Sequence, residues 1–152
     1  MNKLSFGKYI SSIYRNQSII INKLLTEYGF GSGQYLFLLK IAEYEGITQN
    51  ELSQAIHIDR ANTNRAVAKL EKLSYIQVVE NQQSKRNKKY CVTPEGKVIV
   101  EELKLKLSHI TEVLTRDMNE DEKLILNKLL IKMEDNVSEE VDHIRKEVSI
   151  EE

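Results

Sequence analysis

The side chains of this 152-residue chain best suited to chemistry are hydrogen-bond donors gathered on one helical stretch, not a nucleophile with its base. From Asp59 to Leu73, stepping 100° per residue puts Thr63, Val67, Leu70 and Leu73 on one side and Ala61, Asn64, Arg65, Ala68 and Lys72 on the other. Asn and Arg can each make two hydrogen bonds to a base edge, Asn favouring adenine and Arg guanine, while small Ala side chains allow close approach. Arg60, Asn62 and Lys69 sit at the first turn and on the flanks, where they could reach phosphates or outer bases. A second group lies in Ser84-Lys85-Arg86-Asn87-Lys88-Lys89, which holds four positive charges and no negative one. A basic finger of this kind suits a phosphate backbone or a minor groove.

Donors can read a base edge only if the helix carrying them is held in place, and the flanking sequence supplies the holding elements. Thr48 followed by Glu51 predicts a helix start in which side chain and backbone satisfy each other's open donors. Leu52, Ala55 and Ile56 give that helix an apolar face, and the pattern breaks at His57, which tolerates the positive backbone angle a tight turn needs. Ile58 then plugs the core, and Asp59 caps a second helix running to about Leu73. Thr48 and Gln49, at the first helix start, join the candidate contacts, together with Arg60, Ala61, Asn62, Asn64, Arg65 and Lys69 of the second. Tyr75–Val79 and Lys89–Val92 are rich in β-branched and aromatic residues, which predicts a two-stranded hairpin with the basic segment, including Lys85, Arg86 and Lys88, at its tip. Two short helices, a tight turn and a basic hairpin make the pattern of a winged helix-turn-helix.

In this order and spacing, Thr48 through Asp59-Arg60 to Leu70-Glu71, the basic wing, and Thr93-Pro94-Glu95-Gly96 opening the next helix, the chain resembles the MarR (multiple antibiotic resistance regulator) family of bacterial transcription factors over essentially its whole length. The resemblance implies a homodimeric, ligand-responsive regulator, a repressor reading an inverted-repeat operator in double-stranded DNA. It also implies that the first and the last two helices interlock across a two-fold axis. Residues 1–30 and 94–147 would then form the dimerisation helices and 31–93 the DNA-binding lobe of a single domain. Two positions depart from the family pattern. Ser84 stands where the wing commonly carries an Asp two residues before its minor-groove Arg, here Arg86. Ser74 stands where a Gly usually ends the recognition helix, so that end should form by another route.

The rest of the chain reads as helices. One is expected from Ser5 to Tyr28, ended by Gly29 and Gly31, and a second capped by Ser32 and running to Ala42. After the wing, Thr93 and Pro94 should open a helix to about Arg116, and Asn119 with Glu122 a last one to about Arg145. These terminal helices carry more apolar surface than one helix-turn-helix can cover. Eight of the ten aromatics lie in the first two helices and their link, which suits core and dimer packing. In the resembled family ligands often bind where the dimerisation helices meet the DNA-binding lobe. A pocket for a small aromatic or phenolic effector would draw on Tyr9, Ile13, Arg15 and Tyr35.

Composition bounds the alternatives. Net charge is −1, which alone argues against nucleic acid. However, residues 48–97 hold nine Lys and Arg against five Asp and Glu, whereas residues 98–152 hold eight against fifteen, so the positive charge lies with the reading helix and wing. No apolar run approaches the roughly 20 residues a bilayer needs, which points to the cytoplasm. The single Cys, Cys91, excludes an internal disulfide and reads as a buried thiol. His57, His109 and His143 have no pair at metal-ligand spacing, and neither a phosphate loop nor a nucleophile elbow is present. No cofactor, metal or catalytic group is expected. The rival reading is a winged-helix protein-interaction module without DNA binding, which should have lost Arg65, Lys85 and Arg86.

Overall fold

Local capping decides where most elements begin. In the computed structural model, which describes residues 5–81 and 84–148, with the side chains of 80–87 and 148 outside the described residues, Thr48 and Glu51 form a reciprocal box. The Thr48 N–H donates to Glu51 Oε2 at 2.8 Å and Thr48 Oγ1 accepts the Glu51 N–H at 3.4 Å. Asp59 accepts the Asn62 backbone N–H at 2.8 Å. Asn119 and Glu122 exchange bonds of 2.8 and 2.9 Å in a second box. The elements, in order, are α1 (Phe6–Leu25), α2 (Tyr35–Glu43), β1 (Ile47–Thr48), α3 (Gln49–Ile56), α4 (Arg60–Lys72), β2 (Ile76–Asn81), β3 (Ser84–Val92), α5 (Pro94–Leu114) and α6 (Glu120–Val148). A 3-10 turn, Thr26–Tyr28, tightens the end of α1 before Gly29 at φ 76°.

Three local expectations change. Ser32 does not cap α2: the Gln34 N–H closes a turn onto Gly31 O at 3.0 Å, so the helix starts only at Tyr35 with Gln34 at the cap position, and the Ser32 backbone N–H donates to Asn22 Oδ1 at 2.8 Å. The hairpin is part of a three-stranded antiparallel sheet of order β1-β3-β2. Ile47 and Thr48, too short to read as a strand, pair with Tyr90 and Lys89. The strands β2 and β3 also run further than their composition suggested, the polar segment from Ser84 being drawn into the ladder with an irregularity between Val79 and Asn81.

The chain forms two compact units, one ending at Thr111 and the other beginning at Glu112, within α5. The first holds the core: Ile21 and Leu25 of α1, Phe37, Leu38 and Ile41 of α2, Leu52 of α3, Val67 and Leu70 of α4, Ile76, Tyr90 and Val92 of the sheet, and Val100, Leu103 and Ile110 of α5. A fully buried Leu contributes about 1.5–3 kcal/mol over an exposed one, so Leu38, Leu52, Leu70 and Leu103 fix the packing of four helices. Phe30 stacks on Tyr28 at 6.0 Å and meets Tyr75 edge-on at 5.8 Å, joining the end of α1 to the end of α4. Gly96 lets α5 start against the wing base; a Cβ there would sit 2.0 Å from the Tyr75 carbonyl oxygen. In the second unit α6 leaves Leu124, Ile125, Leu129, Leu130, Ile131, Val137 and Ile144 exposed.

The end of α4 keeps the glycine geometry without the glycine. Ser74 lies at φ 62°, its N–H donates to Glu71 O at 2.9 Å and the Tyr75 N–H to Leu70 O at 3.1 Å, the paired bonds of a left-handed helix end. The expected other route is not taken: a Cβ is tolerated in the left-handed region at a cost. Ser74→Gly should therefore raise unfolding stability by about 0.5–1 kcal/mol, relief of strain exceeding the added entropy of the unfolded glycine. Urea unfolding at one fixed protein concentration measures it, and an unchanged or lower midpoint contradicts it.

Candidate nucleic-acid interface

The helix pair α3–α4 is hinged by two residues that leave no slack. His57 takes φ 56°, its N–H reaching Gln54 O at 3.1 Å and the next, from Ile58, reaching Ser53 O at 3.1 Å. Ser53 Oγ donates to Ile58 O at 2.5 Å, closing the turn from the other side. Arg60 Nη2 donates to Asn50 Oδ1, which ties the first turn of α4 to α3. Arg60 is therefore both a surface cation and a brace.

On α4 the buried residues are Thr63, Ala66, Val67 and Leu70. Thr63, wholly buried, donates its hydroxyl to Asp59 O at 2.9 Å, so its burial leaves no orphan. Leu73 is only half-buried, with Cδ2 3.0 Å from where a Cβ on Gly29 would stand. Ala66 adds an inward contact that the stepping had not assigned. On α3, Leu52 is buried and Gln49, Ser53 and Ile56 are half-buried, so the inward face runs through positions 49, 52, 53 and 56 and leaves Ala55 exposed beside it.

Ala61, Asn62, Asn64, Arg65, Ala68, Lys69 and Lys72 are all exposed on the opposite side, with Arg60 at the start. Arg65 Nη2 donates to Asn62 Oδ1 at 2.7 Å. Thr48 and Gln49 are half-buried: the Thr48 hydroxyl is engaged with Glu51 at 2.7 Å, and Gln49 Nε2 is enclosed without a partner. Lys88 is exposed in β3, and the side chains of Lys85 and Arg86 lie outside the described residues.

The four effector candidates do not share one surface. Tyr9 and Ile13, one turn apart on α1, are 64% and 50% exposed, whereas Arg15 lies well over 100° round the helix from Tyr9 by the same stepping, and Tyr35 is half-buried at the start of α2. An open cavity of about 440 Å³ lies elsewhere, lined by Tyr44, Glu45, Gly46, Ile47, Glu51 and Ala55. Cys91 is half-buried, its thiol pushed up by burial and by its hydrogen bond to Glu45. Among the described residues no cluster of three or more His, Cys, Asp or Glu could hold a metal ion, and no helix is long and apolar enough to cross a membrane.

Residues 31–88 match the family model for the MarR family. The chain is 32% identical over 137 residues to the uncharacterised HTH-type transcriptional regulator YybA of Bacillus subtilis, covering 90% of this chain and 91% of that one. The chain belongs to the MarR family of transcriptional regulators. Among solved structures it is similar to the transcriptional regulator SlyA, with a TM-score of 0.87 at 28% identity, over 93% of this chain and 99% of that one. It is similar too to a MarR family regulator from Listeria monocytogenes crystallised with a 26mer DNA, with a TM-score of 0.86 at 26% identity, over 94% and 95%. Relatives and neighbours are winged-helix transcription regulators, not enzymes.

Two carboxylates anchor the starts of α3 and α4, and both titrate below the ordinary range: Glu51 because the Thr48 backbone and hydroxyl donate to it, Asp59 because the Asn62 backbone and side chain do. A depressed carboxyl stabilises the fold fully above its unfolded value and stops doing so as pH falls through its folded value. Asn caps without titrating. Urea midpoints of the wild type and of Asp59→Asn should therefore converge as pH drops below the ordinary carboxylate range, the wild type losing more. Parallel curves down to acid unfolding would contradict the role given to Asp59.

Proposed function

We propose that this MarR-family regulator is a homodimer that binds double-stranded DNA at an inverted-repeat operator, placing α4 of each subunit in a major groove, and that it represses by occupying that site. The observation carrying the proposal is the division of α4: Thr63, Ala66, Val67 and Leu70 hold it in the core, leaving Ala61, Asn64, Arg65 and Ala68 as an exposed strip with Arg60 and Lys69 beside it. An amide and a guanidinium between two alanines can reach base edges, and the flanking cations can reach phosphates. Lys85, Arg86 and Lys88 of the wing supply a second, basic contact to backbone or minor groove. Thr48 and Gln49, at the start of α3, stand where a helix N-terminus can meet a phosphate.

The dimer is supported by apolar residues that one chain leaves bare. Phe6, Tyr9, Ile10, Ile13 and Tyr14 are exposed on α1, and seven large apolar side chains on α6. Apolar exposure on this scale marks an interaction surface. Residues 1–30 and 94–147 would supply the dimer contacts and 31–93 the reading lobe. A small aromatic or phenolic acid bound near Tyr9 and Ile13, which lie one turn apart and exposed on α1, would, by favouring another separation of the two α4 helices, weaken DNA binding by the factor by which DNA weakens its own.

The test selects sites for the purified full-length chain from a randomised DNA pool, then measures affinity at several salt concentrations on the selected and a scrambled site. The selected site should be an inverted repeat with half-sites about one helical turn apart. Arg65→Ala should cost roughly 1–3 kcal/mol per half-site and relax preference at one base position. Lys85→Ala should weaken all sequences alike and make the salt dependence shallower by about one unit per half-site. An unchanged selected-to-scrambled ratio for Arg65→Ala means that α4 is not the reading helix.

A further inference from the structure

Along the exposed side of α4 three residues at successive spacings of three form a hydrogen-bonded ladder. Asp59 Oδ1 accepts the Asn62 backbone N–H at 2.8 Å, and Asp59 Oδ2 accepts a hydrogen from the Asn62 side-chain nitrogen. Asn62 Oδ1 then accepts from Arg65 Nη2 at 2.7 Å. The orientation of the Asn62 amide is dictated by its neighbours: an ionised carboxylate can only accept and a guanidinium can only donate, so the nitrogen must face Asp59 and the oxygen Arg65. Both ends of the amide are thereby engaged within the helix. The sequence places Asn62 among groups reaching for phosphates or outer bases, yet its amide oxygen is engaged by Arg65 and one of its two amide N–H donors by Asp59.

Resting on the reading of α4 as the DNA-contacting helix, we propose that Asn62 is a positioning residue that relays the fixed cap carboxylate of Asp59 to Arg65 and so aims the guanidinium at one base. The ladder starts from a rigid point, because Asp59 is held by the backbone it caps as well as by the Asn62 side chain. Arg is among the most rotamer-rich side chains, and ordering it at the moment of binding costs affinity. Asn62 orders it beforehand. A guanidinium has five N–H donors, and with one on Asn62 it retains enough for a paired contact to a guanine edge. Specificity at the base read by Arg65 therefore depends on a residue that does not itself touch it.

The experiment is a double-mutant cycle with the full-length chain: wild type, Asn62→Ala, Arg65→Ala and the double variant, each measured on the site the wild type selects from a randomised pool and on a scrambled one, at three salt concentrations. Asn62→Ala keeps the Asp59 cap on the backbone and raises helix propensity, so the fold, checked by circular dichroism, should be retained. It should lower the selected-to-scrambled ratio about two- to tenfold per half-site, the span of one net hydrogen bond, with an unchanged salt slope. Adding it to Arg65→Ala should lower the ratio no further. Additive losses would overturn the proposal by showing that Asn62 makes its own base contact. Equal weakening on both sites with a shallower salt slope would overturn it in favour of a phosphate contact. If Arg65→Ala lowers the ratio and Asn62→Ala does not, the ladder is idle while the reading of α4 stands; if the wild type selects no site, that reading fails and this one with it.

Discussion

The burial of Val67 and Leu70, with Thr63 and Ala66 beside them, is the contact on which the rest of the structure depends. Those residues lock one face of α4 into a core shared by α2, α3, the sheet and α5, and the opposite face is exposed as a consequence. Had α4 been free to turn about its axis, no pattern of Asn and Arg on it would have a fixed direction. The hydroxyl of Thr63 shows how closely this face is fitted: a wholly buried polar group is tolerated because the Asp59 carbonyl, at the start of its own helix, satisfies it. The same Asp59 caps the start of the helix with its side chain and satisfies the buried Thr63 with its carbonyl, while the rotation of the helix is set by the burial of Val67 and Leu70.

What could be read from the chain was what is decided within a few residues. The reciprocal boxes at Thr48–Glu51 and Asn119–Glu122, the Asp59 cap, the left-handed His57 and the Thr93–Pro94 start of α5 are local events, made by neighbours three or four positions apart. The outward strip of α4 was legible for the same reason, helical periodicity being local. What escaped depended on distant partners. Ile47 and Thr48 are a strand only because Tyr90 and Lys89, some forty residues on, lie beside them. Ser32 does not cap because the turn from Gly31 to Gln34 moves the helix start to Tyr35, with the Ser32 backbone N–H held by the side chain of Asn22 on the preceding helix. Ala55 and Ala66 carry too little hydrophobic signal for periodicity to tell an exposed alanine from a buried one, and the packing of α3 and α4 sorted them in opposite senses. The ladder from Asp59 to Arg65 could have been suspected from its spacing, but the direction of the Asn62 amide follows only once both neighbours are seen to reach it.

Ser74 is where local and distant determinants of the fold meet. A non-glycine residue in the left-handed region is a local cost accepted for a non-local gain: the turn it makes lets β2 leave α4 at once, with Tyr75 buried against Phe30 and its hydroxyl on the Tyr28 carbonyl at 3.2 Å. Thr93 then bonds back to Ser74 O at 2.7 Å and Gly96 passes beneath Tyr75 O, so the end of α4, the sheet and the start of α5 are fastened at one place. Charge follows the same division of labour. The segment containing α4 and the sheet carries an excess of Lys and Arg, while the acidic excess lies beyond residue 98.

The central claim is that the outward strip of α4 is the surface that meets DNA. Backbone amide spectra of the labelled full-length protein, recorded with and without the DNA it selects, test this most directly. The account predicts that the largest shifts fall on Ala61, Asn64, Arg65, Ala68 and Lys69, with Ala66 and Leu70 following only weakly. Shifts concentrated instead around the cavity between Tyr44 and Ala55, with the α4 strip unmoved, would contradict it.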